Sequence, residues 1–151
     1  MKVSGILLGI NITLLLFIWI FTAYNYAGLP EIIPTHFLIN REIDGESHKG
    51  IIWFLPSIAT FIFFILFAIT NDPKSPMLTI PDSFRNGETL KLFSFTISIP
   101  LLLLFGDTLV ETVLITQGKL QALSYMAMFL LSLLFFTLGV WIFVMNKKEK
   151  S

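Results

Sequence analysis

Four long apolar runs, separated by three polar connections, make up most of the chain. The first, Gly5–Ala23, is polar only at Asn11, Thr13 and Thr22. The second, Ile51–Thr70, and the fourth, Ala122–Met145, carry no charge, and the third, Leu92–Val110, carries one, at Asp107. A bilayer core of about 30 Å is crossed by roughly 20 apolar residues in helical form. Each run therefore predicts a membrane-spanning helix. Pro56 and Pro100 fall inside two of them and predict kinks, which membrane helices tolerate where neighbours satisfy the freed carbonyls. The first run follows Lys2, as a signal peptide would. It is long for such a segment, and Tyr24-Asn25-Tyr26 follows it instead of a small-residue cleavage site, so a retained helix is expected.

Composition supports the same class. The chain is 55% hydrophobic and 13% charged, with 16 Phe among its 151 residues, whereas soluble domains carry about 25% charged residues. Too little polar surface remains to coat a water-soluble globule. The expectation is an all-α membrane protein: one domain over 1–151, with four transmembrane helices and an ordered outer loop between helices 1 and 2. The formal net charge of zero gives no field for a nucleic-acid partner. The absence of cysteine excludes disulfides, thiolate metal sites and a cysteine nucleophile.

Basic residues orient the helices. With the N-terminus inside, the inner segments hold seven: Lys2, Lys74, Arg85, Lys91, Lys147, Lys148 and Lys150. The outer segments hold three: Arg41, Lys49 and Lys119. A multi-pass cell-membrane protein with both termini cytoplasmic is expected, with the 24–50 loop outside. Trp19, Tyr24, Tyr26, Trp53 and Trp141 suit an aromatic belt at the lipid interfaces. In the 71–91 connection several prolines break any continuous helix, and Ser83 is the expected N-cap of a short interfacial turn. The basic tail Lys147-Lys148-Glu149-Lys150 is a partner for membrane lipid.

The 24–50 loop holds the candidate chemistry. Pro30 and Pro34 push Leu29 and Ile33 out of helical geometry, so an extended segment should leave helix 1. Ile32, Ile33 and Phe37 are too apolar for a free loop and should tuck back against the helix ends. That would hold His36, Asp44, Gly45 and Lys49 in defined positions. Leu29-Pro30, then Ile33-Pro34-Thr35-His36-Phe37, then Asp44-Gly45 and Lys49, resembles the signature of domain-of-unknown-function family 1648 over about residues 10–65. Leu38, Arg41 and Glu46 depart from it, standing where the family has Asn, Gly and Trp. Arg41 could not freely take the positive φ that the Gly would allow. The resemblance implies a bacterial integral membrane protein, related to the immunity protein for the sporulation-delaying toxin, a larger protein that also serves as a signal receptor.

Several site readings stand side by side. His36, Asp44 and His48, with Glu46, are ligand types that zinc accepts, provided three or four converge. Alternatively His36 bonds the loop backbone or a carboxylate and fixes the turn. Lys49 either snorkels to the interface or pairs with a carboxylate, for which Asp107 is the candidate. Asp107 lies about 22 Å along helix 3, near its outer end, with Glu111 one turn later. A carboxylate within a membrane span is a functional candidate by default. His36, Asp44, Lys49, Asp107 and Glu111 thus form an expected outer polar cluster. Ser94, Thr96, Ser98 and Thr108 are expected to serve helix packing.

No nucleophile elbow, His-Glu-x-x-His pair or phosphate loop occurs in the chain. The reading is non-enzymatic, with no cofactor: an immunity, sensing or envelope-accessory protein that recognises an extracytoplasmic ligand, peptide or membrane partner. The alternatives are a homo-oligomeric transporter or transporter subunit using Asp107, and a membrane metalloenzyme.

Overall fold

The structure, a computed structural model, describes residues 2–76 and 78–149. Helix α1 spans Val3–Tyr26, and two strands follow, β1 (Ile32–Phe37) and β2 (Ile43–His48). A 3-10 turn at Lys49–Trp53 runs straight into α2 (Phe54–Ile69). Helices α3 (Gly87–Thr116) and α4 (Met126–Glu149) complete the order, with a short 3-10 turn at Asp82–Phe84 before α3. Among the described residues, four helices are long and apolar enough to cross a membrane: Val3–Tyr26, Lys49–Ile69, Gly87–Thr116 and Met126–Lys147. This is a multi-pass membrane protein. Of the basic tail expected to meet lipid, Lys150 lies outside the described residues.

The four-span helical fold with an ordered outer loop is as expected, and that loop is an antiparallel two-stranded sheet. Several details differ. Helix α3 begins at Gly87, earlier than Leu92, because Asn86 caps it: its side-chain oxygen accepts from the Thr89 N–H at 2.9 Å. An Asn at this position satisfies one of the donors every helix start leaves open. Ser83 lies inside the preceding 3-10 turn and caps nothing there. Pro56 falls in the first turn of α2, where its missing N–H has no intrahelical acceptor to lose. Pro100 alone sits inside a helix, and α3 continues through it.

Helix α3 is the hub, with α1, α2 and α4 all packed against it. This explains why the most polar of the four runs tolerates its polar residues: they face other helices. Ser4, Asn11, Ile18 and Thr22 are the buried positions of α1. Opposite them, α3 offers small residues, with Ser94, Ser98 and Gly106 all buried. Small residues let helix backbones approach where lipid supplies no hydrophobic drive. A Cβ on Gly106 would already touch Ile18 Cγ1 at 3.7 Å. Asn11 ties the seam by donating to the Phe95 carbonyl at 3.0 Å.

Two tryptophans read as lipid anchors have a second role. Trp19 Nε1 donates to Thr60 Oγ1 at 2.9 Å, linking α1 to α2. Trp141 Nε1 donates to Thr96 Oγ1 at 2.9 Å, linking α4 to α3. Inside a bilayer an indole N–H needs such a partner, since no water is available.

Candidate functional site

The hairpin is built from its two ends. At its base, Lys49 Nζ meets Glu31 Oε1 at 3.0 Å, and His48 Nε2 meets Glu31 Oε2 at 2.8 Å. The Lys49 N–H also donates to the Glu31 carbonyl at 2.8 Å. Lys49 lies 5.5 Å from the centre of the Tyr26 ring, which packs on Trp53. The Lys49 hydrogen bond and charge, with His48 adding to both, hold the Glu31 carboxyl below its ordinary range. His48 Nδ1 accepts from the Gly50 N–H at 3.1 Å and so starts the 3-10 turn into α2. The carboxylate partner of Lys49 is thus Glu31, four residues before His36's strand neighbour Thr35, and not Asp107.

Between the ends, β1 lies on the bundle. Ile33 is buried and belongs to one apolar cluster with Leu29, Ile52, Leu109 and Val113. Phe37 is half-buried, and with Ile33, Ile52, Thr108 and Thr112 it lines a cavity of about 120 Å³ beneath the hairpin. The expected tucking holds for Ile33 and Phe37 but not for Ile32, which stays exposed because it alternates to the other face.

At the tip, the Leu38 N–H donates to the Glu42 carbonyl at 2.9 Å and the Arg41 N–H to the Leu38 carbonyl at 2.7 Å. This is a three-residue hairpin loop, a turn followed by one residue in left-handed geometry. That residue is Arg41, with φ 72°, the one non-glycine at positive φ among the described residues. Glycine is the residue such a position favours. The departure from the family pattern noted at Arg41 therefore falls on the position where glycine would matter most. The Arg41 side chain is in turn held fast. Its Nη1 donates to the Leu123 carbonyl at 2.9 Å, and its guanidinium carbon lies 3.9 Å from the Tyr125 ring centre. The hairpin tip is clipped to the connection between α3 and α4.

The expected five-residue cluster is not assembled. His36 and Asp44 are exposed on the hairpin. Among the described residues neither makes a side-chain hydrogen bond or ion pair, so His36 does not fix the turn through such a bond. His36 stands where the strand register slips on both sides, between Pro34 and His36 and between His36 and Phe37, a bulge of the kind that re-aims a side chain. Its imidazole lies over Gly45: a Cβ there would meet His36 Cβ and Nδ1, each at 3.2 Å. The Asp-Gly pair is thereby explained as room for the ring. Glu111 is buried and committed elsewhere, its Oε2 accepting from the Ser124 N–H at 2.8 Å across the turn into α4. Asp107 lines a separate crevice between α1, α3 and α4. Among the described residues no three His, Asp or Glu approach closely enough to hold a metal ion. His36, Asp44 and His48 do not converge, because His48 is turned to Glu31 at the hairpin base.

Residues 13–60 match the family model described as domain of unknown function DUF1648. The chain carries a DUF1648 segment. No curated protein and no solved structure matches the chain. The DUF1648 segment takes in most of α1, the whole hairpin and the first turns of α2. It therefore contains both halves of the Glu31–Lys49 base and the His36–Gly45 contact, while Leu123 and Tyr125, which hold the Arg41 tip, lie beyond it.

Sequence reasoning missed Glu31, Arg41 and Tyr125 as structural partners. For Arg41 a signal was present: a long cation at a glycine position implies that something fixes it. Arg85 was read only as an orienting charge, yet it organises the connection before α3. Its guanidinium donates to the carbonyls of Ser75, Leu78 and Ile80.

Proposed function

We propose that this protein is a small bacterial membrane-embedded recognition module whose DUF1648 hairpin meets an extracytoplasmic ligand or a neighbouring membrane protein. One observation carries the reading. A hairpin fastened at both ends, by Glu31–Lys49 and by Arg41 on Leu123, exposes two polar side chains, His36 and Asp44, that make no side-chain hydrogen bond or ion pair among the described residues. Rigid display of uncommitted polar groups is how a pre-organised binding surface keeps its ordering cost low. The role is non-enzymatic and of immunity, sensing or envelope-accessory type. The excess of basic residues on the opposite connections supports a hairpin on the outer face of the cell membrane with both termini cytoplasmic.

The test is photo-cross-linking in the native membrane from a probe at Ile39, which is 91% exposed at the hairpin tip. A discrete adduct is expected in wild type and is expected to disappear in His36→Ala or Asp44→Ala, with membrane insertion unchanged. An adduct equally strong in both variants overturns the reading.

A further inference from the structure

Helices α1 and α4 both pack on α3, and a crevice of about 300 Å³ lies between them with α3 as its floor. Its walls are apolar, with Leu14 and Phe17 from α1, Leu103 from α3, and Met126 and Leu130 from α4. The single ionisable group on it is Asp107. Asp107 Oδ2 is buried with no hydrogen-bond partner, and no ion pair reaches the side chain among the described residues. A carboxylate oxygen left unsatisfied away from water is costly, and the other carboxylates around the hairpin base and the α3–α4 turn do not share that condition. Glu31 is paired with Lys49 and His48, and Glu111 accepts from Ser124.

Among the described residues no counter-charge reaches Asp107. Lys49 is committed to Glu31, and Arg41 to Leu123 and Tyr125. Lys119 is exposed in the α3–α4 connection. Helix α1 contains no charged residue at all. An apolar recess of this size with one convergent polar group has the general form of a small-molecule site.

We propose that this crevice binds an amine-bearing amphiphile, its ammonium donating to Asp107 and its hydrocarbon chain lying along Leu14, Phe17 and Leu130. At about 300 Å³ the space is at the small end of the range for small-molecule sites. That matches a short-chain amine and is less than a single turn of helix, about 10 Å across and about 5.4 Å in pitch, would fill. Met126 gives one wall an adaptable surface. This site is separate from the hairpin and does not depend on its role.

The experiment uses the full chain in nanodiscs of phosphatidylcholine and a decylamine carrying a photoreactive diazirine. Labelled positions are mapped by mass spectrometry. Saturable labelling is expected on α1 and α4 around Leu14 and Met126. Unlabelled decylamine is expected to compete at least tenfold better than 1-decanol of the same chain length. Asp107→Asn, close to isosteric, is expected to abolish that preference while leaving the weak competition by decanol, and His36→Ala is expected to change nothing. Equal competition by decanol and decylamine in wild type, a comparison that needs no variant, overturns the proposal. So does unsaturable labelling spread over the lipid-facing surface, or an Asp107→Asn protein that keeps the amine preference. Protection of the crevice by a cross-linked partner helix, with no amine competition, also overturns it.

Discussion

At Arg41 the backbone and the side chain have opposite preferences, and substitution separates them. Left-handed geometry costs a non-glycine residue about 1–2 kcal/mol, and Arg41 holds it at φ 72°. Arg41→Ala keeps that strain and removes the clip. The lost bond joins a charged donor to the Leu123 carbonyl and is worth roughly 1.5 kcal/mol at this partly buried site. The ring contact with Tyr125 adds about 0.5 kcal/mol. The hairpin tip should therefore open about 2 kcal/mol more readily, on the order of thirtyfold. Arg41→Gly loses the same contacts but relieves the strain. Glycine's greater freedom in the open state takes back about 0.5–1 kcal/mol, leaving it ahead of alanine by about 0.5–1 kcal/mol, roughly two- to fivefold.

Hydrogen exchange of the Leu38 amide is the direct readout, since that N–H is bonded to the Glu42 carbonyl across the loop. The expected order of protection is Arg, then Gly, then Ala. Ile39 provides the internal control. It occupies the same exposed loop without positive φ, so there alanine should protect at least as well as glycine. The reasoning is refuted if glycine gives no advantage at position 41, or if Arg41→Ala leaves Leu38 protection unchanged.

Further outcomes follow from the same geometry. The Glu31 carboxyl is held low by Lys49 and then His48, so its contribution is fully present above the ordinary carboxylate range and is lost as pH falls through the lowered native value; Trp53 fluorescence followed on acidification should report a loosening that Glu31→Gln abolishes by having lost the contact already. Glu111→Ala leaves the Ser124 N–H without its acceptor and should lower stability in detergent by about 2 kcal/mol, whereas Glu111→Gln, which keeps an acceptor oxygen, should cost clearly less. Gly45→Ala sets a methyl at 3.2 Å from His36 Cβ and Nδ1, and should displace the His36 ring resonances while leaving helix content unchanged. Because the chain has no cysteine, Ile39→Cys and Glu88→Cys are single labels: an impermeant maleimide should reach position 39 in intact cells and position 88 only after permeabilisation, and the reverse pattern would invert the orientation.

The spans were legible because lipid imposes a simple rule on sequence: about twenty apolar residues in helical form. Their ends were less legible, since caps decide them. Asn86 starts α3 five residues before the apolar run does, and hydropathy does not register a cap. The hairpin was half-visible. Pro30 and Pro34 gave the extended exit from α1, but β2 reads Ile-Asp-Gly-Glu-Ser-His, with none of the alternation that marks a strand. It pairs because β1 is anchored on the bundle through Ile33 and offers a backbone edge, which is a tertiary cause.

The candidate site shows the same division more sharply. Sequence placed His36, Asp44, Lys49, Asp107 and Glu111 at one end of the molecule, and that much follows from helix direction and rise alone. Direction and rise do not say which carboxylate meets which base. Lys49 takes Glu31 because the antiparallel register sets Ile32 opposite His48, which brings the two flanking residues together; Glu111 is used up by the turn into α4. Once those local pairings are made, Asp107 Oδ2 remains in a span with no hydrogen-bond partner among the described residues, and His36 and Asp44 remain exposed on a fastened hairpin. The groups left over after the fold has satisfied its own needs are the ones free to act on something else. On that basis the proposed hairpin surface and the proposed α1–α4 crevice site are separate, and a single substitution in one should leave the other's binding intact.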